Sequence, residues 1–173
     1  MPEIDWKKYH NLKNADLPNI SDNELEDAVM YWMWGKHDAN LSAYEQILLL
    51  PKPCQNVYST RTVTDQVMNG GFCQMLFNDS RHFAEMSIEG YLALESAKLS
   101  NLVKRSLELY QQNKQIIDGR FDALRNGTRK SFYAFDDPDE PNESFTRLNE
   151  AFFEYDTMDY VKYIRLNANC FGD

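Results

Sequence analysis

Asn69-Gly70-Gly71-Phe72-Cys73-Gln74-Met75-Leu76-Phe77-Asn78 is the stretch on which the fold turns. Two consecutive glycines after an asparagine admit positive φ and let one backbone cross another closely, so the chain should break here. Before the break, Asn56 to Met68 is rich in Thr and Val. Its polar residues do not alternate as a strand's would, and a helix is expected. After the break, Phe72 to Phe77 predicts a short helix whose Phe72 and Phe77 fill the core beside the crossing. Gln74 and Asn78 stand one helical turn apart and are placed to hold backbone groups freed at the break.

Helical signals continue in both directions. Ser21 with Glu24 and Ser42 with Glu45 both read as capping boxes. The first opens a segment with Leu25, Val29, Trp32 and Met33 on one side. The second opens Ala43 to Leu50, which Pro51 and Pro53 should stop. Downstream, about Arg81 to Ser96 places Ala84, Ile88, Tyr91 and Leu92 at helical spacing. Leu99, Leu102, Val103, Leu107 and Tyr110 mark the next helix. Phe145, Leu148, Phe152 and Tyr155 form another stripe, and Val161 with Ile164 marks a last helix ending near Asn169. No stretch alternates over a strand's length, and neither a repeat nor a linker divides the chain. The expectation is all-α: one compact multi-helix domain over residues 1–173 with a helix break at Asn-Gly-Gly.

The 173 residues carry 27 Asp and Glu against 18 Lys and Arg, a net charge of −9. That balance argues against a protein that binds nucleic acid by neutralising phosphates, which needs a basic face. It should attract basic partners instead. No apolar run approaches the roughly 20 residues that span a bilayer, and the start MPEIDWKKYH lacks the apolar core of a signal peptide. A cytoplasmic location and no membrane partner are therefore expected. Cys54, Cys73 and Cys170 are odd in number and widely spaced, unlike a disulfide frame or a zinc site.

The charge surplus is concentrated. Asp16 to Glu45 sums to −6 and Asp136 to Asp159 to −8, while Arg61 to Lys130 sums to +2. At about 100° per residue, Glu143, Glu150 and Glu154 fall within roughly 40° of one another, opposite the Phe145, Leu148, Phe152 and Tyr155 stripe. Arg147 shares the acidic face. Charged outer faces are what helices commonly show to water. Two such clusters, with only Lys36 and Arg147 as bases, repel themselves in a way that a partner would relieve. On the first helix, Asp27, Tyr31 and Trp34 point away from the apolar stripe. They suggest contact with a neighbouring helix or a second copy of the chain.

Catalytic patterns are missing. There is no G-x-G-x-x-G, Walker A sequence, H-E-x-x-H or G-x-S-x-G. The acidic loop from Asp136 has Pro141 where a calcium loop needs its sixth-position Gly. Cys73 and His82 could pair as nucleophile and base, but Cys73 lies in an apolar stretch and reads as core. Neither an enzyme, a cofactor nor a metal is expected.

The opening decapeptide resembles the NGGFxQxxxN signature of a bacterial family, long of unknown function, that includes acidic DNA mimics of the DMP-nineteen type. Asp65-Gln66-Val67-Met68 before it is similar to the family, as are Leu148-Asn149-Glu150-Ala151-Phe152-Phe153 and Tyr160-Val161-Lys162-Tyr163-Ile164-Arg165. The resemblance runs from about Tyr44 to Leu166. It implies a homodimeric helical protein whose surface carboxylates stand where DNA phosphates would. The implied partner is a basic DNA-binding protein, such as a helix-turn-helix transcription factor, kept off its DNA. No direct contact with nucleic acid is implied. Duplex DNA presents one charge per about 1.7 Å, and a helical row of carboxylates can imitate such spacing. The expected contacts are Glu24, Glu26 and Asp27, and Asp136, Asp137, Asp139, Glu140, Glu143, Glu150, Glu154, Asp156 and Asp159. Asn69, Gly70, Gly71, Phe72, Gln74 and Asn78 are expected to be a structural motif. The alternative is a small-ligand-binding or enzymatic domain centred on Asn69, Gln74 and Asn78.

Overall fold

A helix that starts at Lys52 and ends at Phe77 is buried along much of its length, and the helices at Ala43–Leu48, His82–Ala93 and Asn142–Phe153 pack against it. The computed structural model describes residues 6–36, 38–132, 142–155 and 158–173, without the side chains of 79, 142 and 143. Eight α-helices occur among them: α1 Asp22–Gly35, α2 Ala43–Leu48, α3 Lys52–Phe77, α4 His82–Ala93, α5 Ala97–Gln112, α6 Lys114–Arg125, α7 Asn142–Phe153 and α8 Tyr160–Leu166. Short 3₁₀ turns stand at Trp6–Asn11, Asn14–Asn19, Asp79–Arg81 and Ala168–Cys170. No strand occurs among the described residues, and the all-α expectation holds.

Sequence explains where most helices begin. Ser42 and Glu45 form a reciprocal capping box: the Ser42 amide donates to Glu45 Oε2 at 2.8 Å, and the Glu45 amide donates to Ser42 Oγ at 3.3 Å. The box expected at Ser21 is not made. Ser21 stands at the N-cap without a side-chain bond, and Glu24 instead accepts the Tyr9 hydroxyl at 3.1 Å. The first 3₁₀ turn packs across α1 and takes that carboxylate. Pro53 also acts differently from expectation. Pro51 is the N-cap of α3 and Pro53 sits in its first turn, so it opens the next helix as well as closing the last.

The Thr-rich run before the break is helical, and its buried hydroxyls are satisfied within their own helix. Thr60 Oγ1 donates to the Asn56 carbonyl at 2.7 Å, and Ser59 Oγ to the same oxygen at 3.3 Å. Small residues let α3 and α4 approach closely. A Cβ on Gly90 would lie 2.8 Å from Thr60 Cγ2 and 3.0 Å from the Asn56 carbonyl. Tyr91 closes this seam, sharing a bond with Thr64 Oγ1 at 2.9 Å.

Two expectations are corrected here. Leu92 is 55% exposed, because α4 buries Phe83, Ala84, Ser87 and Tyr91 against α3 and leaves that side to water. The helix expected over about Arg81 to Ser96 ends early, at Ala93, and beyond the stripes read from the sequence a further helix, α6, occupies Lys114–Arg125. Asn113 alone separates it from α5, and Ile117 and Phe121 are buried one turn apart.

The break is where it was expected. Gly71 has φ 74° and ψ −178°, a region open essentially to glycine alone. Behind it Phe72, Met75 and Leu76 are buried. Phe72 meets Phe152 of α7 edge to face at 5.5 Å, and Phe77 meets Phe121 of α6 at 5.3 Å. The rings continue through Phe121 to Phe132 at 5.6 Å and Phe132 to Phe145 at 6.1 Å. This aromatic series ties α3, α6 and α7 into one core.

Candidate functional site

The break in α3 holds a residue that sequence reasoning missed. Asn149 of α7 reaches into it, and its Oδ1 accepts the Phe72 amide at 2.9 Å. That amide opens the second half of α3 and lacks an intrahelical partner. The fit is tight: a Cβ on Gly71 would stand 2.5 Å from Asn149 Nδ2. Gly71 thus serves both the backbone angle and a side chain from elsewhere. The signal was present in Leu148-Asn149-Glu150, but 77 residues separate donor from acceptor.

Gln74 and Asn78 do not hold freed backbone groups, contrary to expectation. Their amides converge on the side chain of Gln66, with Nε2 of Gln74 at 3.3 Å and Nδ2 of Asn78 at 2.6 Å from Gln66 Oε1. This bridge of amides fastens the two halves of α3 across the break. Gly70 makes room for it, since a Cβ there would meet Gln74 Oε1 at 2.1 Å. Asn69 points away and is exposed. The motif's side chains are therefore engaged with one another and with α7.

Held by Asn149, α7 turns Phe145, Leu148 and Phe152 inward, all at least 95% buried. Glu150 and Glu154 are exposed on the outer side, as the helical wheel required. The Glu154 amide donates to the Glu150 carbonyl at 3.1 Å, so the helical turn persists just past Phe153. The two carboxylates thus sit one turn apart, with Cβ atoms about 5–6 Å from each other. Among the described residues, neither carboxylate makes an ion pair or side-chain hydrogen bond. Phe153, 48% exposed, lies next to them on the wheel and was not foreseen.

The rest of the second cluster divides. Asp159 is exposed but caps α8, where its Oδ1 accepts the Lys162 amide at 2.7 Å. Asp136, Asp137, Asp139, Glu140 and Asp156, and the side chain of Glu143, lie outside what the structure describes.

The first cluster, which includes the expected contacts Glu24, Glu26 and Asp27, has partners within the protein throughout. Asp16 accepts the Lys13 amide at 3.0 Å, Asp22 accepts Arg165 at 2.9 Å, and Asp38 accepts the Asn40 amide at 2.9 Å. Glu24 and Glu45 have the partners given above. Glu26 pairs with Arg61, which also grips Asp65 with both oxygens at 3.0 Å and lies 3.9 Å from Asp27. Burial pushes the Glu26 carboxyl above its ordinary pKa despite the pull of Arg61. Burial would lower Arg61, but Glu26 and Asp65 outweigh it and hold the guanidinium charged. Two nearby helices supply three acids to one arginine, and the acids hold α1 to α3.

Tyr31 is also accounted for. It stacks on Trp6 at 5.2 Å with the rings 5° apart and meets Trp34 edge on at 5.0 Å. The amino-terminal turn covers part of it. Trp34 stays 50% exposed. Cys73 is buried in α3 and His82 is exposed at the start of α4. Among the described residues, no His, Cys, Asp and Glu group in threes as metal ligands. None of their helices is long and apolar enough to cross a membrane.

The geometry, a glycine break that seats an acidic helix, coincides with a match to known sequence. The model of one protein family, the DMP19-like proteins, matches residues 49–167. That interval begins just before α3 and ends just after α8, so it includes the break, Asn149 and the bare carboxylates. No curated protein and no solved structure matches the chain.

Proposed function

Since this chain belongs to the DMP19-like family, we propose that it is an acidic DNA mimic. It occupies the DNA-binding face of a basic protein, such as a helix-turn-helix transcription factor, and keeps it from DNA. The observation that carries this reading is the pair Glu150 and Glu154: exposed, unpaired and one turn apart on a helix anchored from below. Like charges at this spacing destabilise an isolated helix by a few tenths of a kcal/mol, so a cationic partner relieves a standing repulsion. Anchoring by Asn149 and three buried apolar side chains presents the carboxylates already in place, with little ordering cost on binding. Phe153 adds an apolar contact beside them.

The first cluster takes no direct part in this reading, because its carboxylates hold the protein's own elements together. The reading involves no catalytic step, and the amide bridge from Gln66 to Gln74 and Asn78 supports a structural role for the signature. We place the protein in the cytoplasm as a homodimer, with half-exposed Trp34 as one contact available to the second copy.

The test begins with immobilised protein exposed to host lysate at low salt. A DNA-binding protein should be retained, and gel-shift competition should show it released from its DNA. Capture should weaken steeply with salt, as attraction between exposed charges does. Glu150→Lys with Glu154→Lys should abolish the release while the protein stays folded. A regulator that keeps its DNA, or one captured equally by the double variant, would overturn the reading.

A further inference from the structure

Far from the acidic row in sequence, α2, the middle of α3 and the start of α4 enclose a cleft of about 620 Å³ with aromatic walls. Tyr44 meets Phe83 edge on at 5.5 Å, and Phe83 meets Tyr58 at 5.1 Å. Phe83 and Tyr58 are buried and form the floor, while Tyr44 is half-buried at the mouth. Thr62 and His82 also line the cleft, the His82 ring 6.0 Å from that of Tyr44, and three further groups can accept hydrogen bonds from a ligand. Glu45 is exposed at the edge, and both of its capping contacts with Ser42 use Oε2, leaving Oε1 free. Ser80 Oγ lies out of solvent with no hydrogen-bond partner. Tyr58 contributes a hydroxyl, its pKa pushed up by burial. Among the described residues that line the cleft there is neither Lys nor Arg.

We propose that this cleft receives the guanidinium of an arginine side chain carried by a basic partner chain. Aromatic faces attract cations through their ring quadrupoles, and more strongly when water is excluded. A guanidinium is planar, stacks on such rings and offers five N–H donors in a fixed fork. Glu45 Oε1 can take one donor as a charge-assisted bond and Ser80 Oγ another, which ends the isolation of that hydroxyl. The net charge of −9 draws cations to the molecule as a whole. A compact ammonium would match the carboxylate but offers no planar face to stack on the rings. The volume leaves room for the side chain and a short stretch of the chain bearing it.

The cleft is a second contact, independent of Glu150 and Glu154, and it stands or falls without the mimicry reading. The test is an NMR titration of the whole protein with N-acetyl-arginine amide and, separately, its uncharged citrulline counterpart. The arginine probe should give saturable shifts at Tyr44, Thr62 and Phe83. The citrulline probe should bind about tenfold or more weakly. Glu45→Gln should weaken arginine binding about threefold while leaving the helix capped, since Gln also serves in a capping box. Tyr44→Ala should weaken it about tenfold and Tyr44→Phe should restore it. Equal binding of citrulline, shifts that map outside the cleft, or indifference to Glu45→Gln would each overturn the proposal.

Discussion

Carboxylates of the first cluster face their own molecule, whereas Glu150 in α7 and Glu154 just past its end face water with no ion pair among the described residues. By sequence the two regions look alike, at −6 and −8 with one base each. They differ in what lies within reach. Arg61 projects from α3 toward α1 and gathers Glu26 and Asp27, and Arg165 from α8 bonds Asp22 at 2.9 Å. In α7 the side that meets α3 and α5 buries Phe145, Leu148 and Phe152, and Glu150 and Glu154 stand exposed on the other. Charge density therefore says little about availability. Which acids are free depends on where the rest of the protein puts its arginines.

The contrast can be broken from either side. It requires first that α7 be firmly seated, so the largest effect is expected at the break. Gly71→Ala places a Cβ 2.5 Å from Asn149 and imposes a side chain on a positive φ. We expect about 2–4 kcal/mol of lost stability in thermal or denaturant unfolding. Adding Asn149→Ala should relieve the contact but not the backbone strain, so recovery should be partial. Full recovery would mean that the glycine serves only to admit the asparagine.

The next effect separates the two clusters directly. Arg61→Met leaves the half-buried Glu26 carboxylate without its cation and should cost about 1–2 kcal/mol. The double change of Glu150 and Glu154 to Lys should stay within about 0.5 kcal/mol of the parent by the same measurement. Equal losses would erase the distinction. For capture of the proposed partner the order should invert: Arg61→Met leaves capture nearly unchanged, and the double variant of Glu150 and Glu154 removes it.

The smallest effect is one of pH. Bonds from the Ser42 side chain and backbone hold Glu45 below its ordinary 4.5. A lowered folded pKa stabilises the native state fully above the unfolded value and loses that contribution as pH falls through the folded one. Amide protection at the start of α2 should therefore hold near neutrality and fade only below about pH 4.5. Protection that declined already at higher pH would show that the capping box is not the holding contact.

Parts of this architecture were legible in the sequence because they are local. Asn69-Gly70-Gly71 marks the break through the conformational freedom of Gly71, and the α7 stripe follows from spacing alone. The Ser42 box is likewise contained within four residues. Other features depend on distant partners. Ser21 has the same pattern as Ser42, but Tyr9 takes the carboxylate of Glu24. Leu92 keeps helical register with Ile88, but α4 is rotated by the close approach at Gly90. In α6, Ile117, Phe121 and Leu124 recur one turn apart. Gly119 and the surrounding polar residues hide that pattern, and nothing lies within 4 Å of a Cβ on Gly119 to explain the glycine. The candidate site was legible as a charged face. Its anchor was not, because Asn149 gives no sign of its destination.

The bond between Asn149 and the Phe72 amide also has a meaning in time. It closes a loop of 77 residues, and loop closure of that length follows the formation of local helices. A growing or truncated chain that ends before α7 would already display the signature and most of the core. It would not yet hold the carboxylates at fixed spacing. The acidic face that α7 presents would therefore be assembled late, once the helices before it have formed the socket that receives it.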